Sequence, residues 1–141
     1  MVVKKKVLVG GCFDILHFGH IHFLKEAKKK GNYLIIALES DKNTKKLKGP
    51  ARPIHAQKQR REILESLSFI DKVISLPEMK SDKDYKKLVA EIKPDIIAIT
   101  QGDPMKDKKT EYAVSIGAKL VEINKIKVPS TSQIVKLIDL E

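Results

Sequence analysis

One stretch, Gly10-Gly11-Cys12-Phe13-Asp14-Ile15-Leu16-His17-Phe18-Gly19-His20, sets most of the limits on what this chain can become. Ahead of it, Lys4-Lys5-Lys6-Val7-Leu8-Val9 is a short apolar run behind a basic lead-in, which reads as a buried strand. Behind it, Ile21 to Lys30 carries Ile21, Phe23, Leu24 and Ala27 and reads as a helix. The stretch is therefore a glycine-bearing turn from strand to helix, which aims free backbone N–H groups beyond the strand end. His17 and His20 are three apart, so a first helical turn puts both on one face. Gly19 between them lacks a side chain, which lets a ligand approach the backbone. Two imidazoles, free N–H groups and a helix dipole together suit a polyphosphate.

The rest of the chain alternates. Residues 33–39 form a second buried strand, with Gly31-Asn32 closing the first helix. Ser40 and Asp41 offer caps for a short helix over Lys42 to Leu47. Lys45 to Ile54, with Gly49, Pro50 and Pro53, reads as a flexible basic loop. A helix follows from about Ala56 to Leu67, then a strand at 71–76, an amphipathic helix at 82–92 stopped by Pro94, and a nearly all-apolar strand at 95–100. Gln101-Gly102-Asp103-Pro104 is a turn; a helix at 108–116, a strand from Lys119 to Ile123 and a last helix from Gln133 to Leu140, capped by Ser130-Thr131-Ser132, complete the series. Strand and helix in turn, with short connections, predict an α/β fold: a Rossmann-like, doubly wound parallel sheet of five strands, in one domain over residues 1–141. Ligands of such sheets sit beyond the carboxyl ends of the strands. The histidine stretch, the basic loop, Gly102-Asp103 and the Ser130 segment all fall at that edge.

Bulk properties narrow the classes. No apolar run reaches the roughly 20 residues of a membrane helix, and Met1-Val2-Val3-Lys4 lacks the apolar core of a signal peptide. A cytoplasmic enzyme away from membranes is the expectation. The single cysteine, Cys12, excludes an internal disulfide framework. The formal net charge is +10, which suits either a nucleic-acid partner or a lysine-rich surface with a cationic triphosphate site. The lysines are dispersed among acids, and there is neither tryptophan nor a basic-aromatic run for stacking bases. The second reading is preferred, with no nucleic-acid partner expected.

Gly-x-Phe-Asp-x-x-His-x-Gly-His, complete here as Gly11, Phe13, Asp14, His17, Gly19 and His20, resembles the signature of the cytidylyltransferase-like nucleotidyltransferases. The resemblance runs from the first strand to the last helix. It implies that the stretch from Gly11 to His20, Cys12 included, contacts a nucleoside triphosphate, and that His17 and His20 stabilise the leaving pyrophosphate. Lys46 and Lys48 match a Lys-x-Lys in the family's basic loop, with Lys46 implied as a catalytic lid lysine. Lys48-Gly49 with Arg52-Pro53, and Ser40-Asp41 before them, look like the adenylyltransferase part of ADP-heptose synthases. Arg60, in a Gln-Arg-x-x-x-Leu helix start, either reaches a phosphate or pairs with an acid. Gly102-Asp103 matches a Gly-Asp that meets ribose or acceptor. Ser130, Thr131 and Ser132 resemble the family's second signature, whose N–H groups and hydroxyls hold the terminal phosphates. The glycerol-phosphate and choline-phosphate cytidylyltransferases carry an arginine before this Ser-Thr, where Lys125 stands here.

The reaction these residues imply is in-line attack of an acceptor phosphate on the α-phosphorus of the nucleotide. No covalent enzyme intermediate is needed, so catalysis is positioning and charge stabilisation. Asp14 is expected to order the turn, or to place a histidine tautomer, rather than to act as base. Mg²⁺ is expected with the triphosphate, with no dedicated protein metal site. An adenylyltransferase for a phosphorylated small molecule such as a sugar phosphate is the first reading, working as a homodimer. A glycerol-3-phosphate-type cytidylyltransferase and an FMN adenylyltransferase are alternatives, and a non-catalytic nucleotide-binding or nucleic-acid module is the competing class.

Overall fold

A computed structural model describes residues 3–139. Leu140, the expected end of the last helix, and residues 1, 2 and 141 lie outside the described residues. Five strands form one sheet: β1 (Lys6–Gly11), β2 (Tyr33–Leu38), β3 (Lys72–Ser75), β4 (Ile96–Thr100) and β5 (Lys119–Ile123), in spatial order β3-β2-β1-β4-β5. Every pairing is parallel, as strands joined through helices must be. The helices are α1 (Phe18–Lys29), α2 (Asp41–Lys48), α3 (Gln57–Glu65), α4 (Asp82–Ile92), α5 (Lys106–Ser115) and α6 (Thr131–Asp139). The doubly wound fold expected from the sequence is thus present.

The period-two alternation of the strands divides the core into two layers. Val7, Val9, Leu34, Ile36 and Leu38 pack with Leu24 and Ala27 of α1 and Leu64 of α3. Leu8, Ile35, Ala37, Ile97 and Ile99 face the other way, against Val89 of α4 and Tyr112 and Ala113 of α5. β1 runs outward through β2 to β3 on one side, while β4 and β5 lie on the other. The strand order reverses between β1 and β4, which opens a crevice at their carboxyl ends.

Two differences from the expected boundaries bear on the site. α1 starts at Phe18 rather than Ile21, because His17 caps it: its Nδ1 accepts the Gly19 N–H at 3.0 Å. Lys45, Lys46 and Lys48 sit in the last turn of α2 rather than on a flexible loop. Ser40 Oγ accepts the Asn43 N–H at the start of α2, and the loop begins only at Gly49, whose N–H closes onto Lys45 O.

Candidate active site

The turn from β1 to α1 is held in a costly shape. Phe13 and Ile15 both have positive φ, at 46° and 52°, which costs about 1–3 kcal/mol per non-glycine residue and persists only where the surroundings enforce it. Asp14, between them, is buried and accepts three hydrogen bonds from the loop after α2: Arg52 Nε at 2.7 Å, Ile54 N–H at 2.7 Å and His55 N–H at 3.0 Å. From the other side, the Thr131 hydroxyl donates to Ile15 O at 3.0 Å. The two signature segments are therefore stitched together across the crevice. Burial by itself would raise the Asp14 pKa, but the Ile54 and His55 N–H groups and Arg52 outweigh it and hold the carboxyl below its usual range.

The two histidines stack at the start of α1, with ring centroids 4.0 Å apart. His20 Nδ1 accepts the His17 N–H at 3.2 Å, reciprocating the cap that His17 gives Gly19. With both Nδ1 atoms accepting, each neutral ring carries its proton on Nε2 and keeps one N–H donor for a ligand. Burial, then His17 and the Lys48 and Arg52 cations, push the His20 pKa down to about 4, and burial lowers His17 as well. Gly19 is required for this packing: a Cβ there would lie 2.8 Å from both His17 Cε1 and Val128 Cγ2.

Above β1 and β4 these groups line a cleft of about 420 Å³, within the ordinary range for small-molecule sites. Gly11, Cys12, Phe13, Asp14, His17, Gly19, His20, Lys48, Gly102, Asp103, Ser130 and Thr131 all reach it. Asp103 is not free: its Oδ2 accepts Lys109 Nζ at 2.7 Å and its Oδ1 accepts the Met105 N–H. Ser130 caps α6, its Oγ accepting the Gln133 N–H, while Ser132 is exposed and off the cleft wall.

Besides Ser132, two expected ligand contacts lie elsewhere. Arg60 is fully buried, donating to His55 O, Cys12 O and Asp41 Oδ1 at 2.9, 2.6 and 2.8 Å. Its guanidinium braces the signature turn from below and takes the acid-pairing role, not the phosphate contact. Lys46 is off the cleft wall, with its Nζ 3.6 Å from Glu78 Oε1. Lys46 and Lys48 are two residues apart in a helix, so their side chains leave it about 200° apart, and only Lys48 faces the cleft.

Arg52 and Lys125 complete the cationic lining, neither having been singled out as a ligand contact from sequence. Arg52 stood in the Lys-Gly-x-x-Arg-Pro run, and Lys125 at the position of the cytidylyltransferase arginine, so a signal existed for both. Among the described residues no group of three or more His, Cys, Asp or Glu side chains is arranged to hold a metal ion, and no helix is long and apolar enough to cross a membrane.

Known proteins share both sequence and fold. The chain is 36% identical over 134 residues to the bifunctional protein HldE of Pseudomonas fluorescens, covering 94% of this chain and 27% of that protein. It is 41% identical over 119 residues to HldE of Campylobacter jejuni subsp. doylei, covering 84% and 23%. The chain thus spans about a quarter of the length of these relatives. Among solved structures, a lipopolysaccharide core biosynthesis protein from Thermoplasma volcanium superposes with a TM-score of 0.72 at 30% identity, over 89% of this chain and 100% of that one. A pantoate-beta-alanine ligase from Francisella tularensis, at 17% identity and a TM-score of 0.62 over 89% and 61%, shares the fold. The family model described as cytidylyltransferase-like matches residues 8–139, and with the signature turn complete the chain belongs to the cytidylyltransferase-like nucleotidyltransferases.

Proposed function

We propose that the protein transfers AMP from ATP to the phosphate of a small molecule and releases pyrophosphate. The observation that carries the reading is the pair of stacked histidines, each with an Nε2–H donor free, in one cleft with Lys48 and Arg52. An acceptor phosphate oxygen attacks the α-phosphorus, forming the new P–O bond while the bond to the β-phosphate oxygen breaks. The electron pair leaves with pyrophosphate. His17 and His20 donate hydrogen bonds to the phosphate oxygens on which charge accumulates, and Lys48 and Arg52 add fixed positive charge. Thr131, at the start of α6, faces the same space and offers its N–H to the terminal phosphates, while the Ser130 N–H is held by Gln133 Oε1 at 2.7 Å. No side chain forms a covalent intermediate, and none is needed as base, because the acceptor is already an anionic nucleophile.

The cleft carboxylates do not suit a resident metal, since Asp14 and Asp103 are engaged by N–H groups, Arg52 and Lys109. Mg²⁺ belongs to the proposal as part of the incoming triphosphate. ATP is favoured because Lys48-Gly49 and Arg52-Pro53 resemble the heptose-type adenylyltransferases, and because Arg52 of that run lines the cleft. CTP is the second reading: Lys125 lines the cleft where the cytidylyltransferases carry an arginine, but it supplies the charge without the guanidinium fork. A cytoplasmic homodimer is part of the proposal. A pyrophosphate-release assay over ATP, CTP, GTP and UTP, followed by an acceptor panel with the preferred nucleotide, tests it. ATP-dependent release supports the reading; release with CTP alone replaces it by the second.

A further inference from the structure

A second pocket, of about 220 Å³, opens beside the triphosphate cleft, and Gly10, Gly11, Ala98 and Lys109 line both. Gly10 is exposed although it lies in the central strand. A Cβ there would meet only Ala37 O, at 3.8 Å, so the missing side chain leaves the pocket open over the sheet. Leu8, Ala37 and Ile97 form its floor, and Leu76, Leu88 and Val89 are among its walls.

The polar groups of this pocket are few, and almost all are engaged. The Tyr112 hydroxyl donates to Asp82 Oδ1 at 2.9 Å, Lys109 Nζ is held by Asp103 at 2.7 Å, and the Tyr85 hydroxyl donates to Glu39 at 2.7 Å. Glu39 is the exception. It is 6% exposed, yet the Tyr85 hydroxyl has one proton to give and a carboxylate has about four acceptor positions. A buried carboxylate with one donor is poorly compensated, and burial accordingly pushes the Glu39 pKa up. The carboxylate can take further donors from a ligand. Lys109 at the same pocket supplies positive charge already, so neutral donors fit better than a cation.

We propose that this pocket holds the body of the acceptor, and that the body is apolar, a ring or chain whose one or two neutral O–H or N–H groups bond to Glu39. A sugar hydroxylated at every carbon would strand most of its hydroxyls against leucine, valine and isoleucine, each unpaired hydroxyl lowering affinity by about tenfold. The inference rests on the nucleotidyltransferase reading, since an acceptor must lie against the α-phosphate and this pocket adjoins the triphosphate cleft.

The test compares two series of phosphate esters as acceptors with ATP and Mg²⁺. One is apolar-bodied, riboflavin phosphate and hydroxyhexyl phosphate; the other is polyhydroxylated, a hexose phosphate and a heptose phosphate. Pyrophosphate release gives kcat/KM, and calorimetry gives the ATP Kd separately. The apolar series is expected to be favoured by about tenfold or more. Glu39→Gln, which keeps an acceptor for Tyr85, and Leu88→Phe, which fills the pocket from the half-buried face of α4, should each raise the acceptor KM about tenfold with the ATP Kd changed less than about twofold. If the sugar series is preferred, or neither series is used while ATP still binds, the acceptor inference is overturned and the ATP reading survives. An acceptor KM unmoved by both variants also overturns it. If ATP itself fails to bind, the underlying reading falls and the inference with it.

Discussion

Arg52 reaches back across 38 residues of chain to Asp14, its Nε donating to Oδ2 at 2.7 Å with both side chains buried. This contact fixes the loop after α2 against the turn after β1, and so decides where a cation stands in the cleft. Asp14→Ala removes the acceptor of Arg52 and of the Ile54 and His55 N–H groups together. Removing one partner of a buried pair costs about 3–5 kcal/mol, so the midpoint of urea unfolding should fall accordingly. Turnover should fall further than folding accounts for, measured on the folded fraction, because Arg52 and the strained turn lose their common anchor.

His17→Ala and His20→Ala should each reduce turnover by about 10² or more, as loss of one preorganised donor does in other active sites. The nucleotide Kd should change far less than kcat. Steady-state rates with saturating ATP decide the matter; a His20→Ala protein at full rate shows that the donors lie elsewhere.

The same histidine sets a pH dependence. The His20 pKa is lowered from 6.5 to about 4 in the folded protein, so the unfolded chain binds a proton that the folded one refuses. Its contribution to stability is complete above pH 6.5, is lost as pH falls from 6.5 towards about 4, and amounts to about 1–3 kcal/mol. Urea titrations across that interval should show the slope, and His20→Asn should flatten it. The acid limb of kcat/KM, which reports the free enzyme, should lie well below the ordinary histidine range.

Lys48→Ala should lower kcat by more than Lys46→Ala, because Lys48 lines the cleft and Lys46 is turned to Glu78. Parallel kcat measurements on the two variants read this directly. Equal effects would mean that α2 unwinds at its end when nucleotide binds.

Much of this architecture could be read from the chain. Strands buried on both faces are near-continuous apolar runs, which is why Ile96–Thr100 stands out, and Pro94 and Gly117 punctuate the chain before it and before the edge strand Lys119–Ile123. α4 is legible from its amphipathic spacing. The signature turn was legible because its spacing is dense and local. The contacts that make it work were not. Nothing local in Asp14 points to Arg52, Ile54 and His55, and nothing in Thr131 points to Ile15. A Lys-x-Lys pattern cannot say which lysine faces a cleft until the helix phase is known. The sequence left Arg60 open between a phosphate and an acid, because its burial depends on three partners far apart in sequence, at Cys12, Asp41 and His55. Glu39, at the end of an apolar strand, gave no sign of Tyr85 beside it.

The most direct measurement is calorimetric titration of the purified protein with ATP and with CTP, each with Mg²⁺. The Lys48-to-Pro53 run and the lysine at position 125 both lean towards ATP, and base selectivity rests on pocket shape and a few hydrogen bonds. ATP should therefore bind more tightly by about 1–3 kcal/mol; tighter binding of CTP would contradict the adenylyl-transfer account and put a cytidylyltransferase in its place.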